Sequence, residues 1–578
     1  MLKKRKTWYL ICALLVCTLV GGSLWALFGP SRPIVISKKT TYLTGPIGPD
    51  GNVDYWEYVQ TERAKGATPE NNGAIPVLMA MDLEPWVNAE QRSFAMEQLG
   101  LSDLPATVSL PLRDEQLKAE AERWFAEEAL VQFGDVVHNE WCTQNALRAV
   151  SRSPWTAGDF PPLAAWLTRH GPAIDRLREV EGRTYWYLPQ HASQANSDRF
   201  LYAEICSGDL ICEARNLLRM RAMFHLGNGD LNSAWRDLRA EFQFCLLANP
   251  LSSDSEEFYR RIGLSESSLA LHQLVIHPRC DEALLQEIES TIRGVRPPYY
   301  EPGTVLFQRL KLLQGVGHDY QGFIDSEGEQ EFYYRKAYSI SRLPINGNQL
   351  LRRINYWFDQ VAAAASISDV TQRRAAIIQF RNELDNAMAN YHDSDSEWRL
   401  YLSPVLRTRV PADNYTLEYT FGGDADFYCD EAEGRLQLLQ GSIALQRYYL
   451  RNGRYPATWA ELPDELPPML TKDRFALSDC RYRRTDEGYL LYLLGWNERD
   501  DLGTDWRSEY YRGQTAFRHE RLHYGGTDWV LSAPSPRFEL LLEKIEVHEE
   551  DDFDFYMGDM DLYEMDPWYD ESDLHAEE

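Results

Sequence analysis

Residues Trp8 to Phe28 (WYLICALLVCTLVGGSLWALF) are 21 consecutive positions without a charge. As a helix, such a run is long enough to cross a hydrocarbon core of about 30 Å. Lys3, Lys4, Arg5 and Lys6 precede it, which predicts a basic stub at 1–7 in the cytoplasm and residues 30–578 outside it. Gly29-Pro30-Ser31-Arg32-Pro33 ends the helix. A cleaved leader is the competing reading. Val20-Gly21-Gly22 is a weak cleavage site, no A-x-A follows, and the apolar run continues through Leu24–Phe28. The favoured reading is therefore an uncleaved single-pass anchor at 8–28.

The rest of the 578-residue chain has the composition of a folded protein. With 44% hydrophobic and 25% charged residues, wholesale disorder is excluded. A formal charge of −29 argues against nucleic acid as a partner, because that affinity comes from clustered Lys and Arg. Nine cysteines include Cys12 and Cys17 in the anchor, and none forms a C-x-x-C pair, so a thiolate zinc cage is not expected and buried thiols are.

Residues 29–52, rich in Gly, Pro, Thr and Ser, read as a linker, and 53–410 as a helical domain. Thr68-Pro69-Glu70 predicts a helix start, with an N-cap residue and Pro in the first turn. Leu117–Val137 and Asp359–Tyr391 carry apolar residues at helical spacing. Between Ala214 and Pro250 a helix ends at Gly227-Asn228-Gly229. Asp230 then caps a second, with Leu231, Ala234, Trp235, Leu238, Phe242, Cys245 and Leu246 on its apolar face. Leu226-Gly227, Gly229-Asp230, Ala234 and Asn249-Pro250 make this pair resemble a tetratricopeptide unit, although no 34-residue period repeats it. After Cys429 the character changes. Leu436–Arg451 reads as a helix stopped by Asn452-Gly453, and Cys480–Arg484 and Tyr489–Leu494 as a hairpin across Thr485-Asp486-Glu487-Gly488. The expected fold is thus mainly α: a helical-hairpin ectodomain, a small α+β module at 430–505, an extension at 506–548 and a tail at 549–578.

The run Arg447–Pro456 with Trp459-Ala460-Glu461-Leu462, Tyr482-Arg483-Arg484, Gly488-Tyr489 and Leu494-Gly495 resembles the C-terminal part of the type II secretion major pseudopilin, over residues 436–505. The N-terminus departs from a pilin: Thr7-Trp8-Tyr9-Leu10-Ile11 lacks the glycine cleavage site and the glutamate that follows it. The likeness therefore implies a borrowed fold rather than a pilin subunit. The whole chain resembles a group of membrane-anchored proteins of planctomycete bacteria, through the anchor, Thr68-Pro69-Glu70-Asn71-Asn72, the Gly229-Asp230 helix pair and the C-terminal piece. That likeness transfers no activity.

Pseudopilin modules of this type hold calcium in the loop after the hairpin. The resemblance therefore nominates Asn497, Asp500, Asp501 and Asp505 as calcium ligands, calcium being the one cofactor implied. A solvated acidic turn is the competing reading. His519-Glu520-Arg521-Leu522-His523 matches H-E-x-x-H, in which His519 and His523 would bind zinc and Glu520 would act as the catalytic base. Arg518 and Arg521 flank it, Gly513 and Gly525-Gly526 leave a short helix, and Trp529 stands where a third histidine would be. An exposed polar loop is the competing reading.

His225, His272 and His277 lie in helical text and read as packed or surface residues, and Arg352-Arg353 with Tyr356-Trp357 as packing plus solvation. No P-loop, dinucleotide fingerprint or nucleophile elbow occurs. Residues 549–578 hold 14 acidic side chains and no Lys or Arg, interleaved with aromatic residues such as Phe553, Phe555, Tyr563 and Trp568. Such a tail is expected to stay unfolded alone and to dock onto a basic, grooved partner. The sequence thus favours a non-enzymatic membrane protein whose helical surface and tail bind protein partners. A membrane-anchored zinc hydrolase is the alternative, and a calcium-stabilised envelope component a third reading.

Overall fold

A computed structural model describes residues 14–18, 20–21, 33–82, 89–101, 114–133, 147, 150–190, 199–318, 346–389, 408–409, 412–413, 416, 425–462, 480–494, 500, 502–503 and 529–534. It is mainly helical with one small sheet. The helices are α1 (Tyr55–Ala64), α2 (Ala74–Ala80), α3 (Ala89–Gln98), α4 (Glu115–Phe133), α5 (Pro161–Leu177), α6 (Arg199–Gly227), α7 (Leu231–Phe244), α8 (Asp254–Val275), α9 (Glu282–Ile292), α10 (Pro302–His318), α11 (Gly347–Ala365), α12 (Val370–Ala389) and α13 (Ala425–Asn452). Strands β1 (Arg481–Arg484), β2 (Tyr489–Leu493) and β3 (Trp529–Ala533) form an antiparallel sheet in chain order.

Among the described residues no helix is long and apolar enough to cross a membrane. Of the 8–28 run, residues 14–18 and 20–21 are described; they are helical, with Leu14, Leu15, Val16 and Val20 exposed.

Two large cores organise the helical body. One collects apolar faces from α2, α5, α6, α7, α8 and α9, and the other those of α1, α10, α11 and α12. Asp230 caps α7 as its sequence predicts, accepting from the Ser233 N–H at 3.1 Å. Gly229 takes the left-handed turn before it, at φ 74°. Helix α7 stops at Phe244, a turn short of Asn249-Pro250, because Ala248 leaves the helix to exchange backbone hydrogen bonds with Thr184 and Trp186. The 359–391 stretch is divided at Ser366, and Asp369 begins a new helix by accepting from the Gln372 N–H.

Thr68-Pro69-Glu70 starts no helix, contrary to its sequence signature. Thr68 and Asn71 close a turn on each other, and α2 begins at Ala74. The cause is Asn72, which is fully buried. Its side chain accepts from the Tyr187 and Ala74 N–H groups and donates to the Tyr187 carbonyl, acting as a piece of strand backbone. Residues 33–43 also lie against the body. Asn348 bonds Val35 N–H and Pro33 C=O, and Asn355 donates to the Thr40 carbonyl.

Helix α13 belongs to two cores at once. Ala432, Leu436, Leu439 and Ile443, spaced four, three and four apart, pack into the helical body. Gly434, Leu438, Gly441 and Leu445 repeat that spacing two positions on, about 200° around the helix. Leu438 and Leu445 pack with the inner face of the sheet, formed by Tyr489, Leu491, Leu493, Trp529, Leu531 and Ala533. The glycines allow the close approach: a Cβ at Gly434 would lie 2.5 Å from the Trp529 ring. The hairpin of residues 480–494 thus forms with the register its alternation implies, Arg484 opposite Tyr489. Its helix starts eleven residues earlier than the Leu436 read from sequence, at Ala425.

Candidate functional site

Of the nominated calcium ligands, Asp500 is described. Its Oδ1 accepts from the Leu502 N–H at 3.0 Å and the Tyr492 hydroxyl at 3.2 Å, closing an Asx-type turn, and Arg481 Nε lies 3.8 Å from Oδ2. Asn497, Asp501, Asp505, the His519-Glu520-x-x-His523 motif and the acidic tail lie outside the described residues. Among the described residues no group of three His, Cys, Asp or Glu side chains is arranged to hold a metal.

The functional-looking groups inside the helical body are instead charges bound to one another. Helix α7 buries not only its apolar face but Asp237 and Glu241, one turn apart and both 0% exposed. Asp237 accepts from Arg178 Nε at 2.6 Å and from Arg221 at 2.7 and 2.9 Å. Glu241 Oε1 receives Arg215 and Arg219, which also reach Glu266. A buried carboxylate is tolerated only with such partners. The signal in the sequence is the run of Arg215, Arg219 and Arg221 among the apolar residues of the second half of α6, and the apolar-face reading of α7 leaves out both acids. Beside them, burial pushes the Cys245 thiol up to about 11, which keeps it protonated and unreactive. Cys212, Cys280, Cys429 and Cys480 are likewise buried and unbridged.

Glu256 is the second hub. It closes a capping box with Ser253 at the start of α8, pairs with Arg63 at 3.0 Å and accepts from Ser207 at 2.6 Å. Ser207 in turn accepts from the Trp186 indole, and Arg63 donates to the Leu251 carbonyl. Helices α1, α6 and α8 meet at this one carboxylate. On α11, Arg353 forks onto Asp413 and stacks on Trp357, whose indole donates to the same carboxylate. That is the packing expected of the Arg352–Trp357 segment.

The third arrangement has the parts of an acid–base relay. His272 on α8 sits 2.9 Å from Ser442 Oγ through Nδ1 and 2.8 Å from the Ser532 carbonyl oxygen through Nε2. Ser442 Oγ is 2.8 Å from the Tyr489 hydroxyl. A carbonyl can only accept, so Nε2 carries the proton and Nδ1 accepts from Ser442, which accepts from Tyr489. Burial pushes His272 down to about 4 and Tyr489 well up, which fits a neutral imidazole and a phenol that donates. All three side chains are sealed, at 2%, 0% and 1% exposure. The relay joins the helical body to both β2 and β3, and it presents no face to a substrate. His225 on α6 and His277, just past the end of α8, are partly buried and shifted down by that burial.

Arg435 donates to the Val530 carbonyl beside this seam, and Arg447 pairs with Glu282 and Glu289 at its rim. Compared with known protein families, curated proteins and solved structures, the chain matches none. The seam between α8, α13 and the sheet brings an imidazole, two hydroxyls and a backbone carbonyl together, and these bonds hold the three elements to one another.

Proposed function

We propose that the protein is a single-pass membrane protein, anchored by residues 8–28, whose extracytoplasmic helical body is a non-enzymatic scaffold for protein partners. The observation that carries this reading is the His272–Ser442–Tyr489 seam. The most catalytic-looking constellation among the described residues is a sealed clamp that fixes the C-terminal module to the helical body. Asp237, Glu241 and Glu256 support it in the same way, since each carboxylate is held by buried guanidinium groups. Rigid helical surfaces with fixed internal charges suit a docking platform.

In this reading α6 and α7 form the tetratricopeptide-like hairpin, the pseudopilin-like module is a rigid outpost on α13, and the acidic, aromatic tail is the contact that captures a basic partner. In-cell crosslinking of the full chain beside one ending at His548 tests it. The expected result is a defined protein partner held at fixed stoichiometry and lost with residues 549–578. Identical crosslinks from both chains would remove the tail from the account. A turnover that survives purification and disappears in Glu520→Gln would remove the scaffold.

A further inference from the structure

Residues 33–40 carry an exposed strip that is both apolar and basic, in a chain whose net charge is −29. Val35 is 58% and Ile36 36% exposed, and Lys38 and Lys39 follow, both exposed. The strip is held on the start of α11, where Asn348 bonds the backbone of Pro33 and Val35, and Asn355 that of Thr40. From Asn348 the exposed face of α11 continues at four-residue steps to Arg352 and Tyr356, the latter 50% exposed. Asp359, the acid next along this face, is paired with Arg309.

Chain length then keeps this strip close to the end of the apolar run. Only five Cα steps separate Phe28, the end of the apolar run, from Pro33, a reach of at most about 18 Å. We propose that the surface made by residues 33–40 and the first turns of α11 rests on the bilayer, with Val35, Ile36 and Tyr356 at headgroup depth and Lys38, Lys39 and Arg352 facing anionic lipid headgroups. The proposal rests on the reading of 8–28 as an anchor. It adds that the body is seated on the membrane through one face rather than suspended from it. Apolar and aromatic side chains at headgroup level, flanked by cations, are the combination that binds such a surface.

The test is photo-crosslinking of the full chain in vesicles of phosphatidylglycerol and phosphatidylcholine, with benzoylphenylalanine placed singly at Leu15, Ile36, Tyr356 or Leu450. Leu450, 41% exposed near the end of α13, serves as the reference. The expected result is lipid adducts at Leu15, Ile36 and Tyr356 and none at Leu450, with the Ile36 yield falling severalfold in Lys38→Glu/Lys39→Glu while the Leu15 yield holds. Adducts at Leu15 alone would overturn the seated surface and leave the anchor standing. No adduct at Leu15 would overturn the anchor and this proposal with it. Adducts at Leu450 equal to those at Ile36 would show non-specific contact and overturn the surface.

Discussion

Ser442 Oγ on α13 and His272 Nδ1 on α8 lie 2.9 Å apart, separated by 170 residues of chain, and both are sealed from solvent. The same imidazole reaches the β3 backbone through its other nitrogen. One side chain therefore ties three elements together, and burial keeps it neutral.

That condition makes stability depend on pH. His272 is held near 4 in the fold, against an ordinary value of 6.5. Between those values the unfolded chain binds the extra proton, so the contribution is complete above the higher value and is lost as pH falls toward the lower one. The full loss is about 3 kcal/mol. Urea denaturation at pH 7 and pH 4.5 is expected to show most of that loss, and His272→Phe should flatten the dependence while lowering stability at pH 7. An unchanged pH profile in the variant would remove the seam's role.

Asn72 supplies three hydrogen bonds from a fully buried amide. Asn72→Ala leaves the Tyr187 N–H and C=O without that partner, and an expected cost of about 3 kcal/mol follows. Asn72→Asp keeps an acceptor but buries a carboxylate against the Tyr187 carbonyl, so at neutral pH it should cost at least as much as Asn72→Ala. Chemical denaturation of the three proteins gives the order.

Breaking the Glu256 hub should cost more than removing it whole. Glu256→Gln leaves the buried Arg63 guanidinium without its charge partner, an expected loss of about 3–5 kcal/mol. Arg63→Met/Glu256→Gln should recover part of it, and a double-mutant cycle measures the coupling. Additive losses would show that the two side chains act separately.

The sheet reaches α13 only because Gly434 has no side chain under Trp529. Gly434→Ala forces the indole to move, at an expected cost of about 1–3 kcal/mol. The readouts are a lower melting temperature and faster amide exchange in β2 and β3 than in α7.

Much of this architecture is legible in sequence where the signal is local. The Asp230 cap, the Gly229 turn and the 481–493 hairpin follow from residues within a few positions of each other. Position-by-position reading fails where distant partners decide. Thr68-Pro69-Glu70 looks like a helix start, yet Asn72 is claimed by Tyr187, 115 residues away. Asp237 and Glu241 look like a solvated face until three arginines of a neighbouring helix and Arg178 are brought to them. The α13 face that takes the sheet is hidden in sequence because two of its four positions are glycine. His272 and Ser442 carry no motif at all, so their pairing could not be read from the chain.

The measurement that bears most directly on the scaffold reading is zinc content by mass spectrometry on the purified full chain, beside His523→Ala, with peptide hydrolysis followed in both. The account predicts no stoichiometric zinc and no turnover in either protein. About one zinc per chain, lost in the variant together with a hydrolytic activity, would contradict it and make the protein a membrane-anchored metallohydrolase.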